Sequence, residues 1–294
     1  MRNQIMYVAV LLAAVLSLPV LAEWTTPVPV SSVNTSYNDW IPRVSSDGLS
    51  LYFVRDSSGQ DQIYEATRAT PSGPFTQINE VLSSSSASGN ALYPWVSSDN
   101  LRMYYEDESS SWQVKVSQRA SVNAPWSQGT AVAGLPSGIN SPSFSADELT
   151  VVFSNPNVGG WDIYMATRPD KNSPFGNITN LAGINTASIE SGPYLSPDAL
   201  TIYLNSDRNG TSQIFEAVRD SLNDPIGNVE HLSVFDTPGG ASGQPCISSD
   251  GSAFYFDRAS PDTAGVDIYV SYNVPEPCTL LLIGLGAVML RRKR

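Results

Sequence analysis

Five side chains could together hold a ligand: Arg43, Tyr93, Trp95, Tyr194 and Gln244. A guanidinium holds a carboxylate through two parallel hydrogen bonds, and aromatic rings offer flat faces to sugars or to apolar groups. Ligand pockets are typically lined in this way, with apolar and aromatic surface around a few polar groups. These residue types therefore predict a binding site for a glycan or for an acidic protein side chain.

Two carboxylates could instead carry out a reaction. Asp39 and Glu190 are candidates for the acid and base of a glycoside hydrolase, which needs two carboxyl groups about 5 to 10 Å apart. A carbohydrate-active enzyme that uses Asp39 and Glu190 is therefore the alternative to a non-enzymatic binding function.

Other chemistries lack the residues they need. His231 is the only histidine and is expected on an outer strand, remote from the channel, so the residues for a Ser-His-Asp triad or a histidine-rich metal site are lacking there. The acidic stretches at 106–108 and 207–210 lack the full spacing of a calcium loop and are interpreted as solvated turns. Cys246 and Cys278 are not expected to form a disulfide. We predict no cofactor and no metal.

A repeated sequence must position these residues. Five segments share a template in which Pro is followed three residues later by Ser and five residues later by Asp. They are 42–47, 94–99, 142–147, 193–198 and 245–250. The spacings from Asp to Asp are 52, 48, 51 and 52 residues, the length of a four-stranded propeller blade.

The fifth repeat stops after three strands, and the N-terminus supplies a candidate for the fourth. Trp24–Val30 is similar to Trp126–Val132, the start of the fourth strand of the second repeat. Addition of this segment to the last blade would close the ring and remove an open sheet edge. We therefore predict an all-β, five-bladed β-propeller over residues 23–273. Its blades are predicted at about 38–82, 90–135, 138–182, 189–233 and 241–273 plus 23–33.

The repeats resemble those of the TolB-type, WD40-like propeller family across roughly residues 24–273. TolB-type propellers usually have six blades, and the five repeats here depart from that pattern. Five-bladed propellers also host glycoside hydrolases, which generally present a third acid where this chain has Ala91 or Ile139.

The repeats also predict which side chains face inward. The residue two after each Pro is always apolar and is expected to pack between sheets; these residues are Val44, Val96, Phe144, Leu195 and Ile247. Strand alternation then turns the candidate binding residues toward the central channel. The repeated Ser and Asp are expected to hold the turn between first and second strands. In the alternative interpretation the aromatic rings merely fill the channel and Arg43 pairs with Asp39 or Glu190.

The net charge of −12 argues against binding to nucleic acids or to anionic lipids, which needs clustered Lys and Arg. Residues 1–22 have the basic start, apolar run and small residues of a secretory signal peptide. Residues 274–294 place Pro275, Glu276 and Pro277 before an apolar stretch and four basic residues. This order resembles the PEP-CTERM sorting signal, which implies processing by an exosortase after transient anchoring in the membrane.

The sequence thus predicts a protein that is exported across the inner membrane and sorted to the cell surface or extracellular matrix. We expect a non-enzymatic binding module for a protein or polysaccharide partner. A structural matrix protein without a ligand site is a further alternative. Contact with the membrane is expected only through the C-terminal segment.

Overall fold

The computed structural model describes residues 23–57, 59–84, 89–109, 111–157, 160–237, 240–259 and 265–274. Contacts divide the chain into two units, and the larger one, Thr26–Tyr272, forms one compact body. In the smaller unit, Glu23 and Trp24 pair with Val274 and Asn273. The predicted signal peptide, residues 1–22, and the sorting residues Pro275, Glu276 and Pro277 lie outside the described residues. Within the described ranges no helix is long and apolar enough to cross a membrane.

The regular secondary structure of the described residues is almost entirely β-strand, arranged in five antiparallel sheets. The N-terminal strands are β1 (Glu23–Trp24) and β2 (Val28–Pro29). The first blade contains β3 (Asp39–Val44), β4 (Ser50–Asp56), β5 (Asp61–Thr67) and β6 (Gln77–Leu82). The second contains β7 (Ala91–Val96), β8 (Arg102–Asp107), β9 (Gln113–Gln118) and β10 (Thr130–Ala131).

The remaining blades repeat this order. The third contains β11 (Asn140–Phe144), β12 (Thr150–Asn157), β13 (Gly160–Thr167) and β14 (Gly176–Asn180). The fourth contains β15 (Glu190–Leu195), β16 (Thr201–Ser206), β17 (Gln213–Val218) and β18 (Gly227–His231). A short 3₁₀ turn, Ser233–Phe235, precedes the last blade. That blade contains β19 (Ser242–Ile247), β20 (Ala253–Ala259) and β21 (Val266–Val274).

The innermost strands β3, β7, β11, β15 and β19 contact one another in a closed circle. In the last blade, Val28 and Pro29 of β2 pair antiparallel with Val270 and Tyr269 of β21. The prediction of a five-bladed propeller closed by an N-terminal strand is therefore confirmed. Closure satisfies the backbone groups of β21 that would otherwise form an open edge.

The side chain of Asn34 reinforces this closure. Its Nδ2 donates to the carbonyl of Ile268 (2.9 Å), and its Oδ1 accepts from the Ile268 amide (3.0 Å). Asn185 lies in the loop between the third and fourth blades and makes the same pair of bonds to Ile163. The side-chain amide therefore replaces one residue of strand pairing at both positions.

The repeated Ser and Asp hold the turn between first and second strands in all five blades. In the third blade Ser145 Oγ donates to Asp147 Oδ1 (2.5 Å), which also accepts from the Leu149 amide (3.0 Å). The residue after each Asp has a positive φ; these residues are Gly48, Asn100, Glu148, Ala199 and Gly251. The side chains thus stabilise a left-handed turn in which glycine is not required, and the predicted scaffold role is confirmed.

Each innermost strand is interrupted by a bulge just before its Pro. The residue preceding Pro has φ between 51° and 60° in every blade: Ile41, Tyr93, Ser141, Gly192 and Gln244. The pairing register with the second strand shifts at the same place in all five sheets. A bulge changes the direction of the side chains beside it, so simple alternation does not hold across the Pro.

Candidate functional site

A cavity of about 140 Å³ lies where the innermost strands end, and we call it the mouth cavity. Three of the five predicted binding residues line it: Arg43, Trp95 and Tyr194. The apolar residues two after each Pro also line it, although they were expected only between sheets. The bulge explains this, because it turns consecutive residues toward the axis. The volume suits a single small group rather than a long ligand, since an engineered cavity of about 150 Å³ holds one benzene.

Arg43 is the polar centre of the mouth cavity and is only 3% exposed. Its Nη1 donates to the carbonyls of Pro42 (2.8 Å), Pro245 (3.2 Å) and Gln244 (3.4 Å). Its guanidinium lies over the Tyr194 ring, 5.6 Å from the ring centre. Nε and Nη2 are buried and have no hydrogen-bond partner among the described residues. Burial lowers the pKa of Arg43, an effect opposed by Cys246, Tyr194 and Asp257.

Two aromatic rings line the mouth cavity together with Arg43. Trp95 packs against Tyr104 and Phe144, with ring centres 5.8 and 5.3 Å apart. Tyr194 donates from its hydroxyl to the carbonyl of Ile247 (3.0 Å), and burial raises its pKa well above the ordinary value. Both rings are therefore held in place by packing or by a hydrogen bond, so the aromatic part of the site is formed in advance.

Tyr93 and Gln244 do not line the mouth cavity; they occupy the bulge position in the channel. Gln244 accepts a hydrogen bond from Ser141 Oγ (3.4 Å) at its side-chain oxygen. This contact joins the third blade to the fifth and passes the fourth, where Gly192 presents no side chain. A Cβ on Gly192 would lie 2.0 Å from Asn205 Oδ1 and 3.2 Å from Gln244 Nε2. Gln244 therefore helps to fill the channel beside the cavity.

A ring of second-strand residues faces these bulges and was not identified from the sequence. Its members stand seven residues after each repeated Asp: Val54, Glu106, Ser154, Asn205 and Asp257. Asp257 Oδ2 accepts from the Ile41 amide (3.1 Å), and Asn205 Oδ1 accepts from the Gln244 amide (3.4 Å). Asp257 and Asn205 thus each bond the bulge amide of the next blade. The sequence did contain a signal for this ring. Four of its five members are polar residues that stand at the same distance after the repeated Asp, within strands that are otherwise apolar.

Glu106 corrects one interpretation of the sequence. The stretch 106–108 was expected to be a solvated turn, but Glu106 and Asp107 belong to β8 and both are fully buried. Neither carboxylate oxygen of Glu106 has a hydrogen-bond partner within the described ranges. Burial raises the pKa of Glu106 well above its ordinary value, and the nearby Ser141 amide opposes this only in part. For Asp257, burial outweighs the Ile41 amide and Arg43 and raises the pKa to about 6.

The two candidate catalytic carboxylates have structural partners. Asp39 is fully buried, binds Arg55 Nε (2.6 Å) and accepts from the amide and hydroxyl of Thr35. Burial is the largest influence on the pKa of Asp39 and raises it, although hydrogen bonds from Arg55 and Thr35 act in the opposite direction. Glu190 makes the equivalent contacts with Arg208 (3.2 Å) and Thr186.

These contacts hold the loops that lead into the first and fourth blades. Neither Asp39 nor Glu190 lines the mouth cavity. The alternative in which Arg43 pairs with one of them is wrong, because Arg55 and Arg208 are their ion-pair partners and Arg43 bonds only main-chain carbonyls in the described part.

The remaining candidates lie in different parts of the propeller, His231 on an outermost strand and Cys246 on the innermost strand β19. His231 ends β18, the outermost strand of its blade, as expected, and its Nε2 lies 2.9 Å from Asp236 Oδ1. Cys246 is a buried free thiol whose sulfur accepts from the Val44 amide (3.4 Å). Across the described residues, no group of three or more His, Cys, Asp or Glu side chains is placed to hold a metal ion.

Comparison with known proteins finds similarity of structure only. No family model matches the chain, and no curated protein matches its sequence. The fold is shared with TolB and with glycoside hydrolases. A putative TolB from Agrobacterium tumefaciens superimposes with a TM-score of 0.52 at 19% identity, over 83% of this chain and 82% of that one.

Two glycoside hydrolases show the same likeness. The endo-arabinase from Bacteroides thetaiotaomicron has a TM-score of 0.57 at 12% identity and covers 86% of this chain and 99% of its own. The catalytic domain of the Coprinopsis cinerea GH62 α-L-arabinofuranosidase has a TM-score of 0.59 at 10% identity, with 87% and 98% covered. At these identities the likeness establishes the propeller fold, and fold alone does not determine activity.

Proposed function

We propose that this protein is a non-enzymatic binding module that holds part of a protein or glycan partner in the mouth cavity. The observation that carries the proposal is the buried guanidinium of Arg43, two of whose nitrogens find no acceptor in the described part of the chain. A buried charged donor without a partner is costly, and a ligand or ordered water would satisfy it. Preformed aromatic walls on two sides favour a ligand over solvent alone.

The hydrolase alternative has less support. An acid catalyst must reach the glycosidic oxygen, and its partner must reach water or the sugar ring. Asp39 and Glu190 are fully buried and already bound to arginine and threonine side chains. Their contacts explain their presence without any reaction.

We further propose that the protein is exported and sorted to the cell surface or matrix, with an exosortase as its processing partner. The support is the sequence of residues 1–22 and 274–294, in particular the order of Pro275, Glu276 and Pro277 before an apolar and then a basic stretch. Replacement of Glu276 by Ala should abolish processing, measured as retention of the full-length form in the membrane fraction. Processing of this variant at the wild-type rate would contradict the proposal.

The binding function can be tested by calorimetric titration with matrix polysaccharides and with envelope proteins. We expect at least one partner whose heat of binding is lost on Trp95→Ala. Tyr37→Ala is the control, because Tyr37 is a half-exposed aromatic residue. It precedes β3 and so lies at the start of an innermost strand, whereas the mouth cavity lies where these strands end. Absence of any Trp95-dependent binding would favour a structural matrix protein without a ligand site. Release of sugar from a polysaccharide, lost on Glu190→Gln, would instead support the hydrolase.

A further inference from the structure

We propose that the ligand of the mouth cavity is a single peptide carboxylate, held by Nε and Nη2 of Arg43 and flanked by cationic side chains. This inference rests on the proposed binding function and names the chemistry of the partner. It follows from the free edge of Arg43, from the charge behind that residue and from the charges around the mouth.

Arg102 shows that this edge of a guanidinium can hold a carboxylate, whereas Arg119, Arg168 and Arg219 use it for carbonyl and hydroxyl oxygens. Arg102 uses Nε and Nη2 to hold the two carboxylate oxygens of Glu148, with 2.7 Å between Nε and Oε2. Such paired bonds match the planar geometry of a carboxylate. In Arg43 the same two nitrogens are free of partners in the described part, and Nη1 is occupied by carbonyls. Arg43 therefore presents the carboxylate-binding edge.

Arg43 lines the mouth cavity, and we infer that a ligand reaches its Nε and Nη2 from there. The two nitrogens are shielded from solvent, so contact needs a small rotation of Arg43 or of a ring beside it. A carboxylate that reaches them is held away from bulk water, where a charged hydrogen bond is strong. The cavity of about 140 Å³ has space for one such group.

The charge behind Arg43 favours a monoanion. Asp257 is buried in the channel, interacts electrostatically with Arg43 and forms no ion pair with another described residue. One guanidinium that already faces this carboxyl group cannot also balance the double charge of phosphate. A carboxylate carries a single charge and needs only the paired edge.

The charges around the mouth select the neighbours of that carboxylate. The cavity rim includes the residue before each repeated Asp, and the five Asp residues themselves are exposed: Asp47, Asp99, Asp147, Asp198 and Asp250. Hydrogen bonds from the repeated Ser lower the pKa of Asp198 and Asp250, so these groups are ionised at neutral pH. A polyuronate would be repelled by this ring, whereas Lys or Arg beside the bound carboxylate would be attracted. The observations therefore favour a peptide over an acidic polysaccharide.

The first test is titration with acetate, followed by the nitrogen-bound proton resonances of Arg43 Nε and Trp95 Nε1. We expect a saturable shift with sodium acetate and none with sodium chloride at equal ionic strength. Inorganic phosphate should bind at least tenfold more weakly. Tighter binding of phosphate, or identical responses to acetate and chloride, would overturn the assignment.

The second test compares acetyl-Lys-Glu-Lys-amide with acetyl-Lys-Gln-Lys-amide, which differ only in the carboxylate. The Glu peptide should bind at least tenfold more tightly, and the difference should vanish in Arg43→Met and in Arg43→Lys. The Lys variant keeps the charge without the paired edge and supplies the test if the Met variant does not fold. Equal binding of both peptides, or tighter binding of oligogalacturonate, would overturn the inference.

The two proposals can fail separately. If a partner binds in a Trp95-dependent manner but Arg43→Met leaves its affinity unchanged, the carboxylate inference is wrong and the binding function stands. If no partner and no peptide depends on Trp95, both are wrong.

Discussion

Three ionisable side chains are buried around the channel without an ion pair to another described residue: Arg43, Glu106 and Asp257. Folded proteins usually pair or neutralise such groups, because desolvation of a charge is expensive. Here main-chain groups offset part of the desolvation cost, since Arg43 donates to carbonyls and Asp257 accepts from the Ile41 amide. The remaining electrostatic strain should appear in how stability depends on pH.

Asp257→Asn tests this strain at the level of one residue. The folded pKa of about 6 lies above the ordinary value of 3.8, so the contribution of Asp257 to stability is complete near pH 4 and is lost as pH rises through 6. The corresponding free energy is at most about 3 kcal/mol. We expect the variant to gain stability over the wild type as pH increases from 4 to 8, measured by urea unfolding. Asp220→Asn on the surface is the control, and a constant difference across this range would contradict the prediction.

At the level of strands and turns, Glu148 connects the second and third blades. It follows the repeated Asp147, has a φ of 63° and accepts from Arg102 and Lys171. Tyr104 also donates to it (2.9 Å). Burial raises the pKa of Glu148, but the hydrogen bonds from Arg102, Lys171 and Tyr104 outweigh it and lower the pKa below its ordinary value. One side chain of a repeated turn has therefore become an inter-blade contact.

Glu148→Gln should destabilise the protein by about 2 to 3 kcal/mol at pH 7, below the usual figure for a fully buried pair, because Arg102 and Lys171 keep some exposure. The lowered pKa means that this contribution is present above about pH 4.5 and fades as pH falls. Urea unfolding at pH 7 and pH 3.5 measures both effects. The exposed Glu80→Gln should change stability by less than about 0.5 kcal/mol. Equal effects of the two substitutions would show that the inter-blade contact contributes nothing.

At the level of the whole molecule, blade number and closure could be predicted because they depend on features visible along the chain. The Asp spacings set the repeat, and the similarity of Trp24–Val30 to Trp126–Val132 identified the strand that completes the last blade. The repeated turn was predictable for the same reason, since Ser and Asp bond within five residues of each other.

The channel was only partly predictable. Residues as different as Ile41, Tyr93 and Gln244 adopt the positive φ before Pro, so no residue type signals the bulge. Without the bulge, alternation places Tyr93 and Gln244 with Arg43, whereas the structure separates them from the mouth cavity. Glu106 was misplaced because three consecutive acidic residues are typical of an exposed turn, and only contacts between blades reveal its burial.

Asn34→Ala tests closure of the ring, with Asn185→Ala as a matched control. Each variant loses the same two bonds to a third-strand residue, which should cost about 1 to 3 kcal/mol. Only Asn34 fastens the closing strand, so only Asn34→Ala should speed hydrogen exchange at Val270 and promote self-association through the exposed edge of β21. Identical exchange at Val270 in both variants would show that the side chain of Asn34 is not needed for closure.

The pairing of β2 with β21 also has a consequence for the order of folding. The bond from Asn34 to Ile268 spans 234 residues, so the strand that is synthesised early finds its partner only after all five repeats are available. Contacts between such distant parts of a chain form late and slowly. An incomplete chain, whether nascent or truncated before β21, therefore carries an unmatched strand at its start, and binding by a chaperone at that strand would protect it until the last blade is made.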